Sequence, residues 1–168
     1  LGLRAQVDEA EATGAVFAYS GGGGLDASRN FLFAVTPADP TTVTRQLLRW
    51  NVIWCGCSNV IARTDVVGEL GGFDERLVQL ADWDLWIRIG QRFPVRYLRH
   101  RLAQARLHPD TKTNRAGWSK LVEMHRIVRR HSRRRLPPVL LIHGGGTLYR
   151  MLRGILGHSP GHPDPRGP

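Results

Sequence analysis

Segments with a helical spacing of apolar residues alternate along the chain with short runs of consecutive apolar residues. Leu3, Val7 and Ala10 fall three or four apart and Gly14 follows as a stop, which predicts a helix over residues 1–13. Val16, Phe17, Ala18 and Tyr19 read as a short strand that ends at Ser20 and the four glycines Gly21 to Gly24. The glycine run is expected to be a flexible turn. No Gly-Lys-Ser/Thr follows it and no helix opens after it, so it does not fit a phosphate loop. Residues 30–35 predict a second, edge strand, and Asp39 with Pro40 opens a helix through Leu47, Leu48 and Trp50. Residues 52–63 read as an extended apolar segment with Cys57, Ser58 and Asn59 in its middle.

Thr64 is placed to cap a short helix over residues 65–70, which Gly71 and Gly72 end. Over residues 82–93, Trp83, Leu85, Trp86 and Ile89 are interleaved with Asp84, Arg88 and Gln91 in a helical pattern. Residues 95–98 and 102–107 predict two closing strands, and a polar loop runs from His108 to Asn114. Residues 118–135 predict a basic amphipathic helix whose apolar side is Leu121, Val122, Met124, Ile127 and Val128, broken by Pro137 and Pro138. A second apolar stretch with arginines, residues 139–156, is interrupted by Gly144 to Gly146. The Pro-, Gly- and His-rich residues 158–168 predict a disordered tail. No run reaches the roughly 20 apolar residues of a membrane span. The start has neither an initiator Met nor a signal-peptide layout, so the chain reads as an interior piece of a longer protein.

Composition adds a folded, ordinary globular character: 168 residues, 42% hydrophobic and 23% charged. Charge changes the picture more. The net charge of +10 is sorted into −3 over residues 1–95, +11 over 96–135 and +2 over 136–168. One segment therefore holds the excess, which suits a polyanionic partner such as a pyrophosphate, anionic lipid or nucleic acid, or else a solvated helix face. Cys55 and Cys57 lack the further ligands of a zinc site and sit too close for easy disulfide geometry. They are expected to be two buried thiols in a reducing, cytoplasmic setting.

Chemistry concentrates between residues 58 and 108. Ser58 to Arg63 is followed by a short helix into Gly71-Gly72-Phe73-Asp74-Glu75. Next comes the acidic helix start Ala81-Asp82-Trp83-Asp84-Leu85-Trp86-Ile87-Arg88, and then a strand into Arg106-Leu107-His108. Asp82 at a helix start is stabilised as an anion whether or not it has a further role. Asp84 faces elsewhere on the helix, so both acids cannot be caps, and Trp83 and Trp86 supply apolar walls able to tune a carboxylate. Asp84 and Arg88, four apart, are placed to pair.

This ordered set resembles the family 2 glycosyltransferases of the GT-A fold over about residues 1–113. The resemblance implies a partial GT-A, Rossmann-like α/β fold lacking its N-terminal nucleotide-binding half. Residues 114–157 would form a basic helical extension beyond it and 158–168 the tail. It implies inverting transfer of a sugar from a nucleotide-sugar donor to an acceptor hydroxyl of a sugar or lipid-linked molecule in cell-envelope polysaccharide or glycolipid synthesis. Asp82 would be the catalytic base, although Ala81 stands where the family has a second acid. Gly71, Gly72, Phe73, Asp74 and Trp83 would line the acceptor pocket. Arg106, His108 and Lys112 would neutralise the donor diphosphate, with residues 111–114 closing as a lid. A divalent metal, Mg or Mn, belongs to the full-length enzyme and His108 would lie near it. The family's Asp-x-Asp metal motif is missing, the only match, Asp82-Trp83-Asp84, standing in the base position instead, so the piece alone is expected to be inactive. The helix carrying Arg126, Arg129, Arg130, Arg133, Arg134 and Arg135 over its apolar stripe would lie on an anionic membrane at the cytoplasmic face. The rival readings are a non-catalytic remnant acting as an interaction module and a basic nucleic-acid-binding domain, the latter weakened by the lack of interleaved aromatics.

Overall fold

The computed structural model describes residues 2–107 and 118–131. In chain order they form α1 (Gly2–Ala12), β1 (Phe17–Leu25), β2 (Phe31–Val35), α2 (Val43–Leu47), β3 (Val60–Ala62), α3 (Thr64–Glu69), α4 (Ala81–Gly90), β4 (Val95–Arg106) and α5 (Trp118–His131), with a 3-10 turn at Gly56–Asn59 before β3. The class is α/β, the coarse class that the resemblance implies. The sheet is mixed. β1 pairs with β4 in parallel along nearly its whole length, and with β3 and β2 antiparallel over its first and second halves. A strand has two edges, so β4 takes one while β3 and β2 share the other.

The glycine run corrects the first expectation. Gly21 to Gly24 are not a turn but the second half of the central strand, and β1 is buried through Gly24. Glycine has little strand preference of its own. Here the ladders on both edges hold the backbone, and neighbouring side chains exclude a larger residue. A Cβ on Gly22 would come within 2.6 Å of Asn59 Nδ2 and 2.7 Å of Trp54 Cδ1, and one on Gly24 within 2.7 Å of the Phe33 ring.

Four further boundaries differ from the expectations. The two closing strands are one strand, β4. Between the pairs Ser20–Leu98 and Gly22–Ala103 it carries extra residues as a bulge, where the Arg99 N–H donates to Glu9 Oε1 at 3.3 Å. Residues 52–63 are extended only over β3. Cys55 has φ 63° and Gly56 φ 52°, and this left-handed pair coils the chain into the 3-10 turn. Arg63, not Thr64, precedes the first turn of α3, because its N–H still donates to Val16 in the sheet at 2.9 Å. α2 begins only at Val43. Asp39 spends its carboxylate and carbonyl on the N–H groups of Thr41, Thr42 and Val43.

α4 is largely enclosed, with Trp83, Leu85, Trp86, Ile87 and Ile89 buried. Phe17 of β1 packs on Trp86 with ring centroids 5.0 Å apart. α5 joins the same core through Met124, Ile127 and Val128. Of its apolar stripe, Leu121 is partly buried against that core, whereas Val122, assigned to the stripe, is 53% exposed. Among the described residues no helix is long and apolar enough to cross a membrane. Residues 133–135, 139–156 and the tail 158–168 lie outside the described residues.

Two glycine substitutions separate space from propensity. Gly22→Ala is expected to lower stability by about 1–3 kcal/mol through overpacking. Gly68→Ala, in α3 with nothing near its added methyl, is expected to raise it by about 0.5–1 kcal/mol. Urea denaturation reads both, and a Gly22→Ala midpoint equal to the parent's would contradict the packing of the strand.

Candidate functional site

The start of α4 is organised by a residue from another helix. Leu80, at the N-cap, has no side-chain oxygen. Glu123 of α5 takes over. Its buried carboxylate accepts the backbone N–H groups of Val78 and Gln79 at 2.9 Å and of Leu80 at 3.0 Å. These donors lie just before the helix; within its first turn the Trp83 N–H goes to the Asp82 carboxylate at 2.7 Å.

Asp84 is fully buried and meets three cations or potential cations. Arg88 Nε lies 2.8 Å from one carboxylate oxygen, and Arg130 Nη1 and His131 Nε2 lie 3.1 and 2.8 Å from the other. The expected Asp84–Arg88 pair is present. Burial pushes the Asp84 carboxyl up, but hydrogen bonds from His131 and Arg88, with the charges of both, outweigh it and hold the group at about 2. Arg88 also donates to the carbonyls of Leu70 and Gly72 at 2.6 and 2.7 Å. Arg130 extends to Asp74 at 2.9 Å, a hydrogen bond that holds the Asp74 carboxyl below its ordinary value.

The diglycine bend is thus fastened to Asp84's partners. Gly71 and Gly72 have φ of 80° and 67° and close α3, as the sequence indicates. The open hollow beside them, about 520 Å³, is lined by Phe73, Asp74, Asp84, Arg88 and Arg130 among others, and Asp82 is not among its lining residues. Phe73 is 46% exposed and lies edge-on to Trp86. Trp83, expected in the acceptor pocket, is buried with its indole N–H donating to Leu47 O at 2.7 Å. It is a core residue.

Asp82 faces a different neighbour. One carboxylate oxygen accepts the Trp83 N–H at 2.7 Å, and the other lies 2.8 Å from where a Cβ on Gly56 would stand. Asp82 is half-buried against the Cys55–Asn59 turn. Buried Asn59 fixes that turn by donating to Trp54 O and accepting the Ala103 N–H, each at 3.0 Å. Cys57 is exposed and Cys55 half-buried, both free, which corrects the expectation of two buried thiols. Partial desolvation of its sulfur, and then the charge of Asp82, raise the Cys57 thiol above its ordinary value.

Arg106 is exposed at the end of β4, paired in register with Leu25. His108, Lys112 and the loop 111–114 lie outside the described residues. Among the described residues no group of three or more His, Cys, Asp or Glu could hold a metal. Sequence reading missed Glu123, Arg130 and His131 as parts of this region. Glu123 had one signal: it is the lone acid of its helix and sits four residues before buried Ile127, on the inward side. Family models were searched and none matches this chain, and no curated protein matches its sequence.

Asp84 gives a pH prediction. Its folded pKa lies below its unfolded value, so its stabilisation, about 2 kcal/mol, is complete above about pH 4. It is lost as pH falls through about 2. The Asp84→Asn variant should therefore lose stability less steeply than the parent between those values, as followed by circular dichroism at graded acidity. Equal slopes would show that Asp84 is not held ionised.

Proposed function

We propose that this chain supplies the acceptor side of an inverting glycosyltransferase of the GT-A type, with Asp82 as the base. The observation that carries the reading is the separation of the two acids of α4. Asp84 pairs with Arg88, Arg130 and His131; Asp82 stands half-buried at the helix start, accepts the Trp83 N–H and lies against Gly56 of the Cys55–Asn59 turn. A carboxylate so placed, stabilised as an anion by the first turn of the helix, suits the removal of a proton from a hydroxyl.

In the proposed reaction an acceptor hydroxyl gives its proton to Asp82 while its oxygen bonds to the anomeric carbon of the donor sugar. The bond from that carbon to the diphosphate breaks on the opposite side, and the electron pair leaves with the nucleoside diphosphate. The configuration inverts. Arg106, with His108 and Lys112, is proposed to meet the departing charge. The ordered motifs from Ser58 to His108 support the family reading, and the mixed α/β sheet is compatible with it. Acceptors of cell-envelope polysaccharide or glycolipid type fit the proposal. The exposed Arg126 and Arg129 of α5 remain the described part of the basic block open to an anionic lipid surface.

The test is transfer by the protein that joins these residues to a nucleotide-binding half, read as nucleoside diphosphate release over a panel of nucleotide sugars. Asp82→Asn is expected to lower kcat by about 10²–10⁴-fold while donor binding is unchanged. Near-normal turnover would remove Asp82 from the mechanism.

A further inference from the structure

The glycines of β1 have a consequence beyond the strand itself. Gly22 pairs with Ala103 and Gly24 with Ala105 on β4. Partners in register share a face of the sheet, so this face carries a strip floored only by hydrogens and methyls. Two aromatic rings are seated on it. Phe33, opposite Gly24 on β2, lays its ring where a Gly24 side chain would be. Trp54 lies against Gly22, and its indole N–H donates to Gly23 O at 3.3 Å. The rings meet edge to face with centroids 5.8 Å apart, and yet Trp54 is 36% and Phe33 38% exposed. Two residues after Trp54, Gly56 meets the Asp82 carboxylate. Trp54 thus leads directly into the turn against which the proposed base lies.

We propose that this strip is a subsite for the pyranose ring of the acceptor. The apolar C–H face of the sugar stacks on Trp54 and Phe33, and one of its hydroxyls is presented to Asp82. The inference rests on the transfer reading and adds the class of acceptor to it. Phe33, Trp54 and the floor are uncharged, which disfavours a diphosphate. The neighbouring Asp82 carboxylate and exposed Ser58 favour a hydroxylated ring over an alkyl chain. Rings pinned before binding also lose little freedom when the ligand arrives.

The probe is n-octyl β-glucoside below its micelle-forming concentration, which holds a sugar ring and an alkyl chain in one molecule. Saturation-transfer NMR with this chain is expected to label the ring C–H protons most strongly. The signal should fall at least threefold in Trp54→Ala and in Phe33→Leu, the second keeping an apolar side chain over Gly24 should the first fail to fold. It should persist in Trp118→Ala on α5. Saturation confined to the octyl chain, absent altogether, or unchanged in both ring variants would overturn the subsite. The two claims fail separately. Loss of the ring signal leaves the Asp82 transfer result standing, and normal transfer by Asp82→Asn leaves a sugar-binding face without its base.

Discussion

A carboxylate with no exposure to water governs how this molecule is assembled. Asp84 sits in the buried centre of α4 and remains ionised only because Arg88 of its own helix and Arg130 and His131 of α5 surround it. An unpaired charge there would be costly; α4 supplies one of its partners and α5 the other two. The same cations reach outward, Arg88 to the carbonyls flanking the diglycine bend and Arg130 to Asp74. One cluster thereby fixes the end of α3, the face of α4 and the last turn of α5. Glu123 binds the other end of the same pair of helices by filling the N–H groups before α4.

That arrangement gives the two acids of α4 different fates. Successive helical residues are turned by about 100°, so Asp82 points well away from Asp84 and meets the Cys55–Asn59 turn instead. The turn is itself held by Asn59, and its approach to the sheet requires a strand without a side chain at Gly22. Glycine run, left-handed turn and helix start are three parts of one packing solution.

Much of the helical content was legible in the sequence, because the spacing of Leu85, Trp86 and Ile89, or of Met124, Ile127 and Val128, reports a buried face directly. The pairing of Asp84 with Arg88 followed from helical spacing alone. What was not legible depended on residues distant in the chain. Gly21 to Gly24 resemble a turn locally and are a strand only because Trp54, Asn59 and Phe33 need the room. The basic segment resembled an uninterrupted cationic face, yet Arg130 and His131 turn inward to acids some 50 positions earlier. The spacing of Asp82 and Asp84 showed that the acids must part, but not that Asp84 would take the diglycine bend with it.

The division between these acids is the claim on which the account stands, and equilibrium denaturation of Asp82→Asn and Asp84→Asn side by side at neutral pH tests it most directly. Asp84→Asn should lose about 3 kcal/mol, as expected for breaking a buried charge cluster. Asp82→Asn should stay within about 1 kcal/mol of the parent, the scale of a helix-terminus charge effect. If Asp82→Asn were the costlier of the two, Asp82 would be a structural group and the account would be contradicted.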